Sequence, residues 1–293
     1  MDTLDAKKPD WSNEPTAVDF NLINQPLEQI CNRMISQLEN KTKEPINFYF
    51  LLRGLLTTSF QTYKAIRKLV AEDPKYPAQA HILVRSLVDT LFNIVALTEN
   101  PKENARKYEK AGYRHEWEMY EREKKRYDNK PEWNDWFDAK EKYLENGSRL
   151  FGLSENEKNN PTKMIKHWPN PSQLLGQSKS SNPLISLSPD KQNILTEVME
   201  WRYGELSEWS HMGWGGMAAG VFATMSKSHW HPGKFESDAV YGGMLFLLMI
   251  MSEIESSYHY NEIQNLRYVW GLMGGYFEEA KDYYEMRYNN LLK

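Results

Sequence analysis

Several features that identify common function classes are scarce or absent in this sequence. Cys31 is the single cysteine among 293 residues. One cysteine excludes an intramolecular disulfide, an iron–sulfur cluster and a cysteine-based zinc site, and is typical of a reducing compartment. The first residues, MDTLD, are acidic and include no apolar signal segment. We therefore expect a cytoplasmic protein.

Neither sign of charge dominates, and no apolar run is long. The chain carries 36 Lys and Arg against 40 Asp and Glu, so no basic field attracts nucleic acid or an anionic membrane over a long range. The most apolar run, residues 239–252, is shorter than the roughly 20 residues of a membrane-spanning helix and is followed by Glu253 and Glu255. We expect a buried helix there, and no membrane partner.

The helical periodicity is strong, and no sustained alternation of apolar and polar residues indicates a strand. The sequence therefore predicts an all-α, single-domain irregular helical bundle of about eight or nine helices. Residues 1–20 are polar and contain two prolines, which is typical of a flexible amino-terminal arm. Residues 21–293 form the predicted domain, and residues 152–188, rich in Ser, Asn, Pro and Lys, form a long polar insertion.

The third predicted helix carries a stripe of polar side chains within an apolar run. His81, Arg85, Asp89 and Asn93 are each four residues apart and so lie on one helical face. Arg85 and Asp89 have the separation of an ion pair. One interpretation is a structural pair that fixes how the helix docks. The other is the wall of a pocket that binds an anionic substrate.

A second group of polar side chains lies in the segment YGELSEWSH, which precedes a glycine-rich passage. Ser207 and His211 are four residues apart and can stack on one face. A histidine beside glycines, where a ligand can approach the backbone closely, suits general acid–base chemistry or metal binding. The alternative is that His211 caps a helix or is a satisfied core residue.

Metal binding is a minor alternative, and we predict no other cofactor. Glu208 and His211 match one half of the carboxylate-bridged di-metal pattern, but the chain has no second Glu-x-x-His segment. Glu255, His259 and Glu262 also have helical spacing, which arises readily on a charged surface. Phosphate-binding glycine loops, zinc-protease motifs and serine-hydrolase motifs are absent.

Three segments, residues 83–118, 166–176 and 203–214, together resemble a bacterial family of unknown function, DUF5677. The resemblance extends over about residues 45–260 and implies an all-helical fold without implying a reaction. The positions that match the motifs of the family are Arg85, Asp89, Tyr108, Trp168, Pro169, Tyr203, Leu206, Ser207 and His211. This chain differs in having Asp89 where glutamate is usual, and Met212-Gly213 where a small residue and proline often follow the histidine.

A looser analogy, at the level of fold only, connects the chain with helical RNA-cleaving toxins and defence effectors of the HEPN type. In those proteins an arginine is followed on the same helix by a histidine four to six residues later. In this chain no arginine is followed by a histidine at that spacing, and Arg202 and His211 are separated by eight residues. The analogy nevertheless places a nuclease in bacterial defence among the expectations.

These observations lead to two hypotheses. In the first, Arg85 binds an anion, Asp89 orients Arg85 or His211, His211 is the general acid–base and Ser207 positions the substrate, a nucleotide or RNA. In the second, the protein is a non-catalytic interaction or regulatory module. Arg85, Asp89 and His211 then form a structural network, and aromatic surfaces contact a protein partner or a second copy of the chain.

Overall fold

A computed structural model describes residues 20–41, 47–72, 75–164, 167–176, 185–210 and 232–292. Every regular element within these ranges is a helix, which confirms the all-α class. The α-helices are α1 (Phe20–Lys41), α2 (Asn47–Ala71), α3 (Pro77–Glu99), α4 (Pro101–Tyr127), α5 (Asn134–Leu150), α6 (Glu155–Asn159), α7 (Pro171–Leu174), α8 (Pro189–Val198), α9 (Gly204–Ser210), α10 (Pro232–Tyr258), α11 (Ile263–Tyr276), α12 (Glu278–Tyr283) and α13 (Asn289–Leu291). A π-helical turn, Met199–Tyr203, joins α8 to α9, and a second, Tyr284–Tyr288, joins α12 to α13.

The chain divides into two compact units. Unit 1 consists of residues 1–98 and 187–293, and unit 2 of residues 99–186. Unit 2 therefore begins well before the predicted polar insertion at 152–188 and ends close to its last residue. Within that insertion the structure has short helices that begin with capping boxes, Ser154 with Glu157 and Asn170 with Gln173. Residues 1–19 of the predicted arm lie outside the described residues, and Phe20, its last residue, begins α1.

Helix α10 is the centre of unit 1. Residues 239–255 are all buried, and the helix packs against α1, α2 and α11. Two consecutive glycines allow neighbouring helices to approach closely. A Cβ atom on Gly242 would lie 3.0 Å from a methyl group of Val84 in α3, and one on Gly243 would lie 3.1 Å from the ring of Tyr63 in α2. The predicted burial of this apolar run is confirmed.

By length and composition alone, α3 and residues 236–258 of α10 are also apolar enough to cross a membrane. Within the protein, 89% of the apolar window of α10 and 61% of that of α3 are buried. The core helix of a soluble protein has the same length and composition, so this feature is a weak indication of a membrane span.

Helix α1 begins earlier than its proline indicates. Pro26 suits the first turn of a helix, but here it lies inside α1 because the helix begins at Phe20. The side chains of Ile23 and Asn24 extend the buried face of α1 by one turn, and Asn24 accepts a hydrogen bond from the hydroxyl of Tyr63. Packing against α2 therefore outweighs the local signal. Cys31 is fully buried, and burial raises the pKa of its thiol, which suits inert packing.

Unit 2 has a small aromatic core of its own between α4 and α5. The buried residues of this core are Tyr113, Tyr120, Phe137, Leu144, Leu153 and Met164. Arg114 connects the 3₁₀ turn at Pro161–Lys163 to α4, because its Nη1 donates to the carbonyl oxygens of Thr162 at 2.6 Å and Met164 at 2.5 Å. Arg114 is buried, and these two carbonyl oxygens accept hydrogen bonds from its guanidinium.

A buried ion pair joins the end of α10 to the second π-helical turn. Nε and Nη2 of Arg287 donate to the two carboxylate oxygens of Glu253 at 2.5 and 2.7 Å, and the side chains are 6% and 1% exposed. Paired charges in this bidentate geometry are tolerated in a core, whereas a single one is not.

We expect Glu253→Ala to lower the free energy of unfolding by about 3–5 kcal/mol, because Arg287 would be left charged and buried without a partner. Urea denaturation measures this change. The matched control is Glu145→Ala, which breaks an arginine pair whose side chains are 66% and 64% exposed and should cost less than about 1 kcal/mol. A similar loss for both variants would contradict the role of burial.

Candidate functional site

Arg85 forms the predicted ion pair on α3. Its Nη1 lies 3.2 Å from each carboxylate oxygen of Asp89, one helical turn further along. The arginine side chain is 12% exposed and that of Asp89 is 45% exposed. His81, at the start of the polar stripe, is buried, and Asn93 at its end is half-buried. The stripe is therefore set into the protein surface and is not a freely solvated face.

Tyr203 completes the group from a distant part of the sequence. The guanidinium carbon of Arg85 lies 3.3 Å from the centre of the Tyr203 ring, which is a close cation–π contact. The same ring meets Phe92 of α3 edge-on, with 6.0 Å between ring centres. Tyr203 is the last residue of the first π-helical turn, so this turn is joined to α3 by an arginine and a phenylalanine.

Burial of Asp89 and the charge of Arg85 have opposite effects on the pKa of Asp89. Partial burial raises the pKa of Asp89 above its ordinary value, and the attraction of Arg85 opposes this shift without cancelling it. Burial also raises the pKa of Tyr203, which therefore stays neutral at physiological pH. The Nε of Arg85 is buried and has no hydrogen-bond acceptor among the described residues. A buried donor without an acceptor is costly, and such groups are rare in folded proteins.

The other two predicted site residues are Ser207 and His211. Ser207 is half-buried on α9, one turn after Tyr203, and its carbonyl oxygen accepts a hydrogen bond of 3.0 Å from the hydroxyl of Ser210. His211 lies outside the described residues. The structure thus brings together Arg85, Asp89 and Tyr203, and it places Ser207 on the helix that follows Tyr203.

Two of the carboxylates considered for metal binding, Glu255 and Glu262, make other contacts. Glu255 accepts the backbone N–H groups of Tyr260 and Glu262 at 2.9 and 3.0 Å. Glu262 accepts two hydrogen bonds from the guanidinium of Arg33 at 2.6 and 2.8 Å. These carboxylates close the turn after α10 and hold α1 against it. Among the described residues, no group of three or more His, Cys, Asp or Glu side chains could hold a metal ion.

A comparison with known protein families matches residues 49–227 to a family of unknown function, DUF5677. The chain belongs to this family. A comparison with curated proteins and another with solved structures found no match. The matched range contains Arg85, Asp89, Tyr203 and Ser207, so the group described above lies within the DUF5677 region.

Two more of the residues that carry the resemblance to DUF5677 meet inside unit 2. The rings of Tyr108 on α4 and Trp168 lie edge to face, with 4.9 Å between their centres and an angle of 82°. Burial raises the pKa of the Tyr108 hydroxyl. Two pairs of the residues that carry the resemblance, Arg85 with Tyr203 and Tyr108 with Trp168, are far apart in sequence and each form one contact.

Sequence reasoning did not assign a role to Tyr203, although its place in the family signature was visible. It also missed Arg202, the preceding residue, whose Nε and Nη2 donate to Glu279 of α12 at 2.8 and 2.5 Å. Adjacent residues of the π-helical turn thus point in different directions, Tyr203 to α3 and Arg202 to α12. No pattern in the sequence links Arg202 with Glu279, because they lie on separate helices.

We expect the stability contributed by Asp89 to fall as the pH rises. A carboxyl group whose pKa is raised on folding binds its proton more tightly in the folded state, so stability is lost as the pH rises from its ordinary pKa of about 3.9 through the raised value. Urea denaturation of the wild type and Asp89→Asn between about pH 3.5 and 7 measures the effect. The wild type should lose stability relative to the variant over this range. A relative gain would mean that attraction by Arg85 outweighs burial.

Proposed function

We propose that this DUF5677 protein binds a phosphate-containing ligand, a nucleotide or RNA, at a site centred on Arg85. The proposal rests on how the guanidinium group of Arg85 is held. Tyr203 and Asp89 hold it in place, while its Nε has no acceptor among the described residues. A planar arginine fixed in this way is pre-organised for the oxygens of a phosphate group.

The other residues of the family signature supply the remaining roles in this proposal. Asp89 orients Arg85, and Tyr203 supports the guanidinium from one face. Ser207 positions the ligand, and His211 serves as the general acid–base in hydrolysis of a phosphate ester. This chemistry needs no metal ion, so a divalent metal remains a minor alternative. We propose a cytoplasmic location and, within hydrolysis of RNA, a role in bacterial defence.

A second candidate function is a non-catalytic interaction or regulatory module. It is favoured by the low exposure of the Arg85 side chain, 12%, which leaves little of the guanidinium in contact with solvent. In this alternative the contacts of Arg85 with Asp89 and Tyr203 fix the packing of α3 on the π-helical turn. The ligand is then a protein partner or a second copy of the chain.

Arg85→Lys distinguishes the two functions, because lysine keeps the charge but lacks the planar group that stacks and binds two oxygens at once. If the site binds phosphate, a fluorescent ATP analogue or a short single-stranded RNA should bind the variant about ten- to a hundredfold more weakly, with the melting temperature nearly unchanged. His211→Ala should abolish hydrolysis, again with little change in melting temperature.

The matched control is Arg53→Lys, since Arg53 lies in the same unit and forms an exposed ion pair with Glu39 at 3.0 Å. It should leave both binding and stability unchanged. The structural alternative predicts the opposite pattern for Arg85→Lys, namely a clear fall in melting temperature. If neither ligand binds the wild type, the phosphate site is refuted.

A further inference from the structure

Unit 1 contains a cavity of about 420 Å³ that lies apart from the contacts of Arg85 described above. The cavity lies between the first π-helical turn, with the adjoining ends of α8 and α9, and the segment formed by α12 and the second π-helical turn. Its volume is within the range of small-molecule binding sites.

The lining of the cavity is strongly acidic. Of the nine lining residues, five are Asp or Glu and one, Arg202, is basic. Arg202 is already paired with Glu279 in a bidentate contact, and its Nη1 lies 3.5 Å from Glu205. The charges of Glu197, Glu278 and Asp282 are therefore left uncompensated by any lysine or arginine of the lining. A concave surface with one sign of charge concentrates ions of the opposite sign.

An aromatic and an apolar side chain lie open at the same place. Trp201 is 68% exposed and Met286 is 44% exposed, and both line the cavity. The faces of indole rings attract organic cations, and methionine packs against flexible methylene chains. A solvated acidic surface needs no large apolar side chain. The exposed tryptophan beside these carboxylates therefore distinguishes the cavity from such a surface.

We propose that this cavity binds a small organic polycation of the polyamine class, at a site separate from Arg85 and beyond the function proposed above. Ammonium groups pair with Glu278, Asp282 and Glu197, and the connecting methylene groups lie on Trp201 and Met286. A metal ion fits less well, because the described residues contain no group of three or more His, Cys, Asp or Glu that could hold one.

Calorimetric titration of the full chain with spermidine at low ionic strength tests the proposal. The wild type should bind saturably, and Glu278→Gln and Asp282→Asn should each weaken binding about tenfold through the loss of one charge contact. The matched control is Glu285→Gln, which removes an exposed acid from the same π-helical turn as Met286 but outside the lining. The control should bind spermidine as the wild type does.

A second variant tests the aromatic contact. Trp201→Leu should weaken spermidine binding about fivefold while leaving the melting temperature nearly unchanged, because the indole is largely exposed. The proposal is overturned if the wild type does not bind, or if Glu285→Gln weakens binding as much as Glu278→Gln, which would indicate general surface attraction. It is equally overturned if Trp201→Leu binds normally or if Mg²⁺ displaces spermidine at an equal concentration of charge.

Discussion

The burial of α10 is the constraint on which the rest of unit 1 depends. Because this helix is buried through residues 239–255 and apolar on every side as far as residue 251, it must be covered by other helices all round. The covering helices include α1, α2 and α11, and the glycine pair at 242–243 sets how closely α2 and α3 approach. Glu253 lies on the same buried helix, so its charge needs a partner, and Arg287 of the second π-helical turn supplies it. The long-range order of the unit thus arises from one segment.

The sequence predicted those parts of the fold that depend on local periodicity. The all-α class and the burial of residues 239–252 were visible because apolar residues recur at helical spacing. The early start of α1 was not visible, since it depends on contacts of Ile23 and Asn24 within the folded unit. The pairing of Arg287 with Glu253 was likewise hidden, because a buried ion pair between separate helices leaves no periodic signal.

The candidate site was predictable in part, for the same physical reason. Arg85 and Asp89 lie one turn apart on a single helix, so their spacing alone predicts the ion pair that is observed. The stacking of Tyr203 on Arg85 depends on how two helices pack, and only the family signature gave a reason to group them. The cavity beside Trp201 had no signal at all, because its acids come from elements that are far apart along the chain.

The first π-helical turn accommodates one residue more than an α-helix of the same rise. Loss of one residue within 199–203 would restore regular α-helix there, so α9 would keep its direction relative to α8. The side chains within the turn would not keep their directions, because each residue of an α-helix advances the chain by about 100° around the axis. In the present turn Arg202 contacts Glu279 and Tyr203 contacts Arg85. A single deletion would therefore disturb these two contacts before it disturbs the helices on either side.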